Sequence, residues 1–331
     1  MSLGVDLVEV WRGDLLESVH QGHAVICDVT GQIVESWGNP AQVIYPRSSC
    51  KMIQALPLVE SGAAAARQLT PAHLALACAS HQGAAIHTDR VRDWLAALGL
   101  DDTALRCGPQ MPDDRPAREG LIKSDTSPCQ VHNNCSGKHT GFLTLSQHLG
   151  GDAEYDLIDH PVQQAVKAAF EEVTGETSEG WARDGCSAPN HTCSLHGLAR
   201  AMAAFAAAQG KDDTRSRAAT ALYQAMVTHP DLVAGDKRAC TELMQAMQGR
   251  AAIKTGAEGV FVAIVPENQL GIALKIADGT TRAANAAIAA LLVRSGVLDP
   301  VHPAAQRHMT PLILNRRGFA TGVLRPAAAL S

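Results

Sequence analysis

The stretch from residue 252 to residue 276, AIKTGAEGVFVAIVPENQLGIALKI, predicts the central part of a β-sheet. Apolar runs rich in β-branched residues alternate in it with turn residues. This pattern predicts three short strands, at Ala252–Lys254, Gly259–Val265 and Gln269–Ile276. A long alanine-rich helix is predicted directly afterwards, over Thr280–Leu292.

The pattern of the first forty residues predicts strands as well. Val5–Trp11 alternates apolar and polar residues, and Thr30-Gly31 separates His23–Val29 from Gln32–Trp37 in the manner of a hairpin turn. From there to about residue 230 the periodicity is mostly helical. The predicted helices start near Ser48 and at Pro71 and then cover Asp89–Leu98, Gly137–Leu149, Pro161–Val173, Leu195–Ala208 and Arg215–Val227. The stretch 106–132 is predicted to be a long loop, and the last 30 residues irregular with one strand.

Strands at both ends and helices in the middle predict an α/β (α+β) architecture. Its simplest form is one antiparallel sheet from the N- and C-terminal segments, covered by helices, with a mostly helical lobe inserted. We expect a single catalytic domain of two lobes. The sheet lobe would take about 1–60 and 235–331, and the helical lobe about 61–234. A substrate cleft would lie where the lobes meet.

Composition excludes several classes of protein. The chain has 331 residues, 46% of them hydrophobic, and a net charge of −5 with no Lys/Arg cluster, which argues against a nucleic-acid or anionic-membrane partner. The longest apolar run, Ala286–Val293, is too short to span a membrane. Met1–Asp6 has no export signal, so we expect a cytoplasmic protein. Nine cysteines without a C-x-x-C pair do not form a secreted disulfide framework.

Two short motifs indicate serine–lysine chemistry. Ser48 and Lys51 form an S-x-x-K motif, whose spacing puts both side chains on one helix face, and Lys254-Thr-Gly256 ends a C-terminal strand. A lysine can activate a serine hydroxyl if its pKa is lowered. The order S-x-x-K then K-T-G is that of serine β-lactamases and penicillin-binding proteins, although their middle S-D-N motif is absent.

Two further segments concentrate polar and reactive side chains. Asn133–Gly141 has the composition of a helix start, and Asp184–Asn190 combines turn residues with a thiol. Cys135, Lys138 and Cys186 are candidates for a zinc site because two thiolates suit zinc, yet the spacing lacks the usual Cys/His pairs. Asn133–Gly141 also reads as an ordinary N-cap, and Ser80-His81 as the end of a helix.

Taken together, Arg47–Lys51, Asn133–Gly141, Asp184–Asn190 and Lys254–Gly259 resemble the rhizobial-type (class 3) L-asparaginases of the asparaginase II family. His229–Gly235, Lys275–Gly279 and Arg282-Ala283 match that family too. The resemblance implies a fold related to serine β-lactamases, penicillin-binding proteins and serine glutaminases. It also implies a homodimer that hydrolyses L-asparagine to L-aspartate and ammonia.

The resemblance further implies functional residues at matching positions. Two Ser–Lys pairs fall on Ser48 with Lys51 and on Ser80 with Lys254, and a zinc ion on Cys135, Lys138 and Cys186. The residues that line or support the pocket are Arg47, Asn134, His139, Asp184 and Cys240.

The resulting hypothesis is acyl transfer. Lys51 takes the proton of Ser48, which attacks the side-chain amide, while Ser80 and Lys254 shuttle protons or are themselves the nucleophile pair. Arg47 is the candidate for the substrate α-carboxylate because its guanidinium matches carboxylate geometry. Backbone N–H groups near Ser48 or around Lys254–Gly256 are candidates for the oxyanion hole.

Three alternatives remain open at the level of sequence. The first is a serine amidohydrolase of the β-lactamase or D-alanyl-peptidase type. The second is a cysteine amidase that uses Cys135 with His139. The third is a catalytically inactive protein that binds an amino acid in the same pocket.

Overall fold

The computed structural model describes residues 4–330. Met1–Leu3, on which the expectation about an export signal partly depends, lie outside the described residues. The strands are β1 Val5–Arg12, β2 Leu15–Asp28, β3 Ile33–Trp37, β4 Val43–Ile44, β5 Trp181–Arg183, β6 Pro189–His191, β7 Cys193–Ser194, β8 Ala252–Thr255, β9 Val260–Val265, β10 Leu270–Ile276, β11 Leu312–Leu314 and β12 Ala320–Pro326.

The helices fill the space between these strands. They are α1 Lys51–Gln54, α2 Leu56–Glu60, α3 Ala63–Ala66, α4 Pro71–Ala77, α5 Ala85–Ala97, α6 Arg115–Lys123, α7 Ser136–Leu149, α8 Pro161–Thr174, α9 Leu195–Ala206, α10 Thr214–Thr228, α11 Pro230–Val233, α12 Ala239–Met247, α13 Thr281–Arg294 and α14 Pro303–Met309. Among residues 4–330, no helix combines the length and the hydropathy needed to cross a membrane.

One antiparallel sheet joins the two ends of the chain. Its order is β11-β12-β1-β2-β10-β9-β8, with β3 also paired to β2. The long strand β2 makes this possible, because its first half pairs with β1 and its second half pairs with both β10 and β3. The predicted antiparallel sheet from N- and C-terminal segments is therefore confirmed, and β8 at its edge presents Lys254.

Helices cover both faces of the central strands. Every residue of β9 is buried, and so is all of β10 beyond its first residue, whereas a strand with one wet face would alternate. The alanine-rich helices α9 and α13 both pack on these strands. Gly271 of β10 is required by this packing, because a Cβ there would lie 2.2 Å from the carbonyl oxygen of Ala199 in α9. Small residues thus allow close packing of helix on sheet.

Two predicted irregular regions contain regular structure. The stretch 106–132 includes α6, where Asp114 caps the helix and Pro116 lies in its first turn, so the residues that indicated a loop are helix-start signals. No residue of α6 is buried, so its sequence lacks the apolar stripe from which a helix is predicted. The last 30 residues hold α14, β11 and β12, because prolines there begin a helix or end a strand rather than prevent structure.

Candidate active site

A strained turn presents Arg47 and Ser48. Residues Arg47–Cys50 form a single 3₁₀ turn that leads into α1, and Arg47 has a φ of 55°, which side chains other than glycine rarely adopt. Gly256, directly after β8, lies against this turn, since a Cβ there would be 2.7 Å from the Pro46 carbonyl oxygen. The turn and the K-T-G strand are therefore in direct backbone contact.

The hydroxyl of Ser80 lies between two lysine side chains. Ser80 Oγ is 2.7 Å from Lys254 Nζ and 3.0 Å from Lys51 Nζ. Both lysines are almost completely buried, and they come from β8 and α1, while Ser80 follows α4. The structure thus joins Lys51, Ser80 and Lys254 in one hydrogen-bonded row, which we call the lysine–serine–lysine row.

Burial, together with the positive charge of Lys51, lowers the pKa of Lys254 to about 7. A buried ammonium loses its hydration, and a second cation nearby adds repulsion. Lys254 is consequently available as a neutral amine near neutral pH. A neutral amine next to a serine hydroxyl is the requirement for nucleophile activation.

Ser48 lines a cavity of about 180 Å³ together with Cys135, whose sulfur lies 3.1 Å from Lys51 Nζ. Its side chain is half-buried, whereas Ser80 is buried. Within residues 4–330 no hydrogen bond links Ser48 to Lys51, whose amine instead donates to Ser80, Cys135 and the Ala79 carbonyl. Catalytic hydrogen bonds are often long before substrate binds, so the absence of this bond does not argue against Ser48 as the nucleophile.

The wall of the cavity beside Ser48 carries Arg47. Its Nε and Nη2 lie 2.9 Å and 2.7 Å from the same carboxylate oxygen of Asp184, while its Nη1 is 3.9 Å from Glu258. Burial opposes the charge of Asp184, but Lys138 and the Arg47 hydrogen bond hold the pKa of this carboxyl below its usual range. The carboxylate positions Arg47 and leaves part of its donor fork free.

The opposite wall brings the predicted metal ligands together. The thiols of Cys135 and Cys186 are in hydrogen-bond contact, and Lys138 Nζ lies 3.2 Å from Cys186 Sγ. The hydrogen bond from Cys135, together with the Lys138 charge, holds the pKa of Cys186 well below its ordinary value against the effect of burial. Burial alone would lower the pKa of Lys138, yet the neighbouring Cys186 and Cys135 raise it.

This donor set fits a zinc ion. Two sulfurs and one amine converge, and thiolates are preferred ligands of zinc. Within the described range 4–330, no group of three or more His, Cys, Asp or Glu side chains is placed to hold a metal, so the amine of Lys138 would be the third ligand. Metal binding would have to displace the proton of Lys138, as is usual when ligands are protonated.

Asn134 belongs to the same wall. Its side-chain oxygen lies 2.9 Å from the Cys135 sulfur, and the residue lines the cavity with Asn133 and Gln110. The Gln110 side chain in turn accepts from the Asn134 backbone at 3.1 Å. Sequence reasoning missed Gln110 because it lies in a stretch without periodicity or motif, and it did not single out Asn133 within its segment.

His139 and Cys240 lie behind the cavity rather than on its surface. His139 is buried, bonds the Tyr155 hydroxyl at 2.9 Å, and burial lowers its pKa to about 3. Cys240 on α12 accepts a hydrogen bond from the Thr255 backbone at 3.4 Å, and burial raises its pKa. Cys240 thus supports the strand that carries Lys254.

The backbone N–H groups around Lys254–Gly256 already donate hydrogen bonds within the protein. Gly256 donates to the Val260 carbonyl at 2.7 Å, and Thr255 donates to Cys240. The Ser49 N–H likewise donates to the Pro46 carbonyl at 3.2 Å. An oxyanion hole built from these three groups would require the turn to rearrange, so they are not preformed donors.

The solved structures that are similar to this chain include a β-lactamase and a putative β-lactamase. A β-lactamase from Mycobacterium bovis is 15% identical, with a TM-score of 0.44, over 83% of this chain and 94% of that one. A putative β-lactamase from Bacteroides dorei is 11% identical, with a TM-score of 0.44, over 77% and 84%. Both TM-scores are below 0.5, so neither likeness indicates what this chain does. No curated protein matches the chain.

A family model matches nearly the whole chain. The model is described as L-asparaginase II, and it matches residues 8–326, which include the lysine–serine–lysine row and both walls of the cavity. The chain therefore belongs to the asparaginase II family.

Proposed function

We propose that this protein is an L-asparaginase (EC 3.5.1.1), which hydrolyses L-asparagine to L-aspartate and ammonia. The observation that carries the proposal is the position of Ser80 Oγ between Lys254 and Lys51. Cys135, which contacts Lys51, lines a cavity together with Ser48 and Arg47. Such an arrangement supplies a serine nucleophile, a base and a carboxylate anchor. Membership of the asparaginase II family supports an amidohydrolase of this kind.

The donors and acceptors in the lysine–serine–lysine row support one transferable proton, shared by its two lysines. As an ammonium, Lys51 has three N–H groups and three acceptors, one of which is Ser80 Oγ. As a neutral amine, Lys254 can donate to the Thr255 carbonyl and accept the O–H of Ser80 on its lone pair. Ser80 Oγ then accepts from Lys51 and donates to Lys254, with one positive charge shared by the two lysines.

This proton exchange makes Lys51 a base. The Lys51 ammonium gives a proton to Ser80 Oγ while Ser80 gives its own proton to Lys254. Lys51 becomes neutral and takes the proton of Ser48 as Ser48 attacks the amide carbon. The protonated Lys51 then donates to the departing nitrogen, which leaves as ammonia, and water hydrolyses the aspartyl ester of Ser48.

The cavity favours a small amino-acid substrate. Its volume of about 180 Å³ is below the roughly 300–1,000 Å³ of pockets that hold drug-sized ligands. The Arg47 guanidinium would bind the α-carboxylate with the donors that Asp184 leaves free. We also propose that Cys135, Cys186 and Lys138 hold zinc, which when bound would supply positive charge to orient a polar group of the substrate.

The alternatives have less support. In the described residues the partners of the Cys135 thiol do not include the His139 ring, which bonds Tyr155, so a cysteine–histidine pair is not formed. The cavity volume of about 180 Å³ favours a substrate smaller than a β-lactam or a peptide. A catalytically inactive amino-acid-binding protein would have no need of an amine whose pKa is lowered to about 7 beside a serine, as Lys254 is.

Release of ammonia by purified protein tests the proposal. We expect turnover with L-asparagine, lower turnover with L-glutamine, and loss of at least about 100-fold in Ser48→Ala, since the nucleophile is removed. Hydrolysis of a chromogenic cephalosporin without any asparagine turnover would favour the β-lactamase alternative. Binding of asparagine in calorimetry without ammonia release would favour the inactive binding protein.

A further inference from the structure

The segment that carries Ser80 is irregular and is fixed by its neighbours. It connects α4 to α5, and backbone hydrogen bonds hold it on two sides: Ser80 N–H donates to the Val233 carbonyl at 2.9 Å, and His81 N–H donates to the Asn134 carbonyl at 3.1 Å. Because a loop has no helical ladder of its own, such ties determine where the Ser80 hydroxyl lies.

The side chain of His81 also fixes this segment, through hydrogen bonds of its imidazole ring. The ring is buried, and its Nδ1 accepts from the Gly83 N–H at 3.1 Å. Its Nε2 lies 2.9 Å from Ser136 Oγ, whose own proton goes to the Val131 carbonyl at 2.9 Å. Nε2 must therefore be the donor to Ser136, which defines a neutral ring with both nitrogens satisfied.

Ser136 is the first residue of α7, the helix that follows Cys135 and carries Lys138. The imidazole of His81 thus links the Ser80 segment to the start of this helix. On the other side of Ser80, the Lys51 amine contacts both Ser80 Oγ and Cys135 Sγ, at 3.0 Å and 3.1 Å. The position of Ser80 relative to Lys51 therefore depends on the position of α7.

We infer that His81 is a positioning residue, which holds the Ser80 hydroxyl in register with Lys51 and Lys254 through its hydrogen bond to Ser136. This inference rests on the proposed function, because it assigns His81 to the proton exchange. Ser80 must reach both amines at once, and an error of about 1 Å in such a constellation can cost about 100-fold in rate. Substrate binding by Arg47 does not involve this link.

His81→Leu, Ser136→Ala and the double variant test the inference by steady-state kinetics. We expect kcat to fall by about 10- to 100-fold in either single variant with KM changed less than about 3-fold. The double variant should be no worse than the poorer single variant, because both remove the same link. His81→Gln, whose amide N–H can donate to Ser136, should recover most of the rate.

His87→Leu is the matched control. His87 stacks on His81 with ring centroids 4.7 Å apart, and its Nε2 bonds the Asp231 carbonyl rather than α7. This variant loses a buried ring but keeps the link, so its kcat should stay within about 3-fold of the parent. Equal losses of kcat in His87→Leu and His81→Leu, or multiplying losses in the double variant, would overturn the inference.

A crystal structure of His81→Leu separates this inference from the proposed function, since it needs no activity. We expect the distance from Ser80 Oγ to Lys254 Nζ or Lys51 Nζ to exceed 3.5 Å in that variant. Unchanged distances would overturn the positioning role even in an active enzyme. If His81→Leu does not fold, Ser136→Ala removes the same bond with a smaller change and is crystallised instead. Absence of asparaginase activity in the parent protein would refute the proposed function alone.

Discussion

Replacement of Lys254 by methionine tests the electrostatic basis of the site. The Lys254 side chain is buried, and burial with the Lys51 charge lowers its pKa from 10.5 to about 7. At about 1.4 kcal/mol per pKa unit, the difference between these two pKa values corresponds to about 5 kcal/mol of destabilisation when the folded protein holds Lys254 charged. Lys254→Met removes that cost.

The gain is partly offset by lost hydrogen bonds. Lys254 Nζ is hydrogen-bonded to Ser80 Oγ at 2.7 Å and donates to the Thr255 carbonyl at 2.8 Å. Ser80 Oγ keeps Lys51 as a partner at 3.0 Å, so only the Thr255 carbonyl loses its side-chain donor, which costs about 1–3 kcal/mol. We therefore expect Lys254→Met to be more stable than the parent by about 2–4 kcal/mol at pH 7. It should also lose at least about 100-fold in kcat, because the proton acceptor is gone.

The pH dependence distinguishes this account from simple repacking. Between pH 7 and pH 10.5 the unfolded chain keeps the Lys254 proton while the folded chain has released it, so the stability of the parent rises with pH. The variant lacks this contribution. The amount by which the free energy of unfolding of Lys254→Met exceeds that of the parent should therefore fall by about 3 kcal/mol between pH 7 and pH 9.

Urea unfolding at pH 7, 8 and 9 with a reductant measures the difference. Lys211→Met, at an exposed position, is the matched control and should show no such trend. A stability difference between Lys254→Met and the parent that stays constant across this range would refute the reasoning, because Lys254 would then have an ordinary pKa.

Four further predictions follow from the same site. The kcat/KM for asparagine should rise with pH and level off above about 7, as Lys254 loses its proton; a rate independent of pH between 6 and 8 would contradict this. Arg47→Lys should raise KM by about 10- to 100-fold with little change in kcat, because one point charge replaces a fork; an unchanged KM would place the α-carboxylate elsewhere. Gly256→Ala should lower kcat at least about 10-fold by displacing the 3₁₀ turn, whereas Gly120→Ala, in open space, should not. Metal analysis should find one zinc per chain, lost in Cys186→Ser with loss of ammonia release; full activity after complete chelation would exclude a role for zinc.

Periodicity predicted most of the architecture. The strands follow from alternation or from short apolar runs bounded by turn residues, and the long helices follow from 3.6-residue spacing, since these patterns report burial directly. The helix Arg115–Lys123 could not be predicted in this way, because none of its residues is buried and its capping residues also occur in loops. The homodimer, the cytoplasmic location and the division into two lobes stay predictions.

Short-range spacing was a weaker guide to the site. S-x-x-K spacing associates Lys51 with Ser48, yet its amine finds its acceptors 28, 29 and 84 residues away in the chain. Ser80 alone reads as the end of a helix, and it gains its place from Lys254, 174 residues further on. Such contacts depend on how the sheet and the helices pack, which no local pattern records.

The acyl-enzyme is the central claim of this account, and it can be observed directly. Rapid acid quenching during turnover of L-asparagine, followed by peptide mapping with mass spectrometry, locates the aspartyl ester. We predict the adduct on Ser48, at the surface of the cavity, with none formed in Ser48→Ala. An adduct on Ser80 or on Cys135, or turnover without an adduct on any residue, would contradict the account.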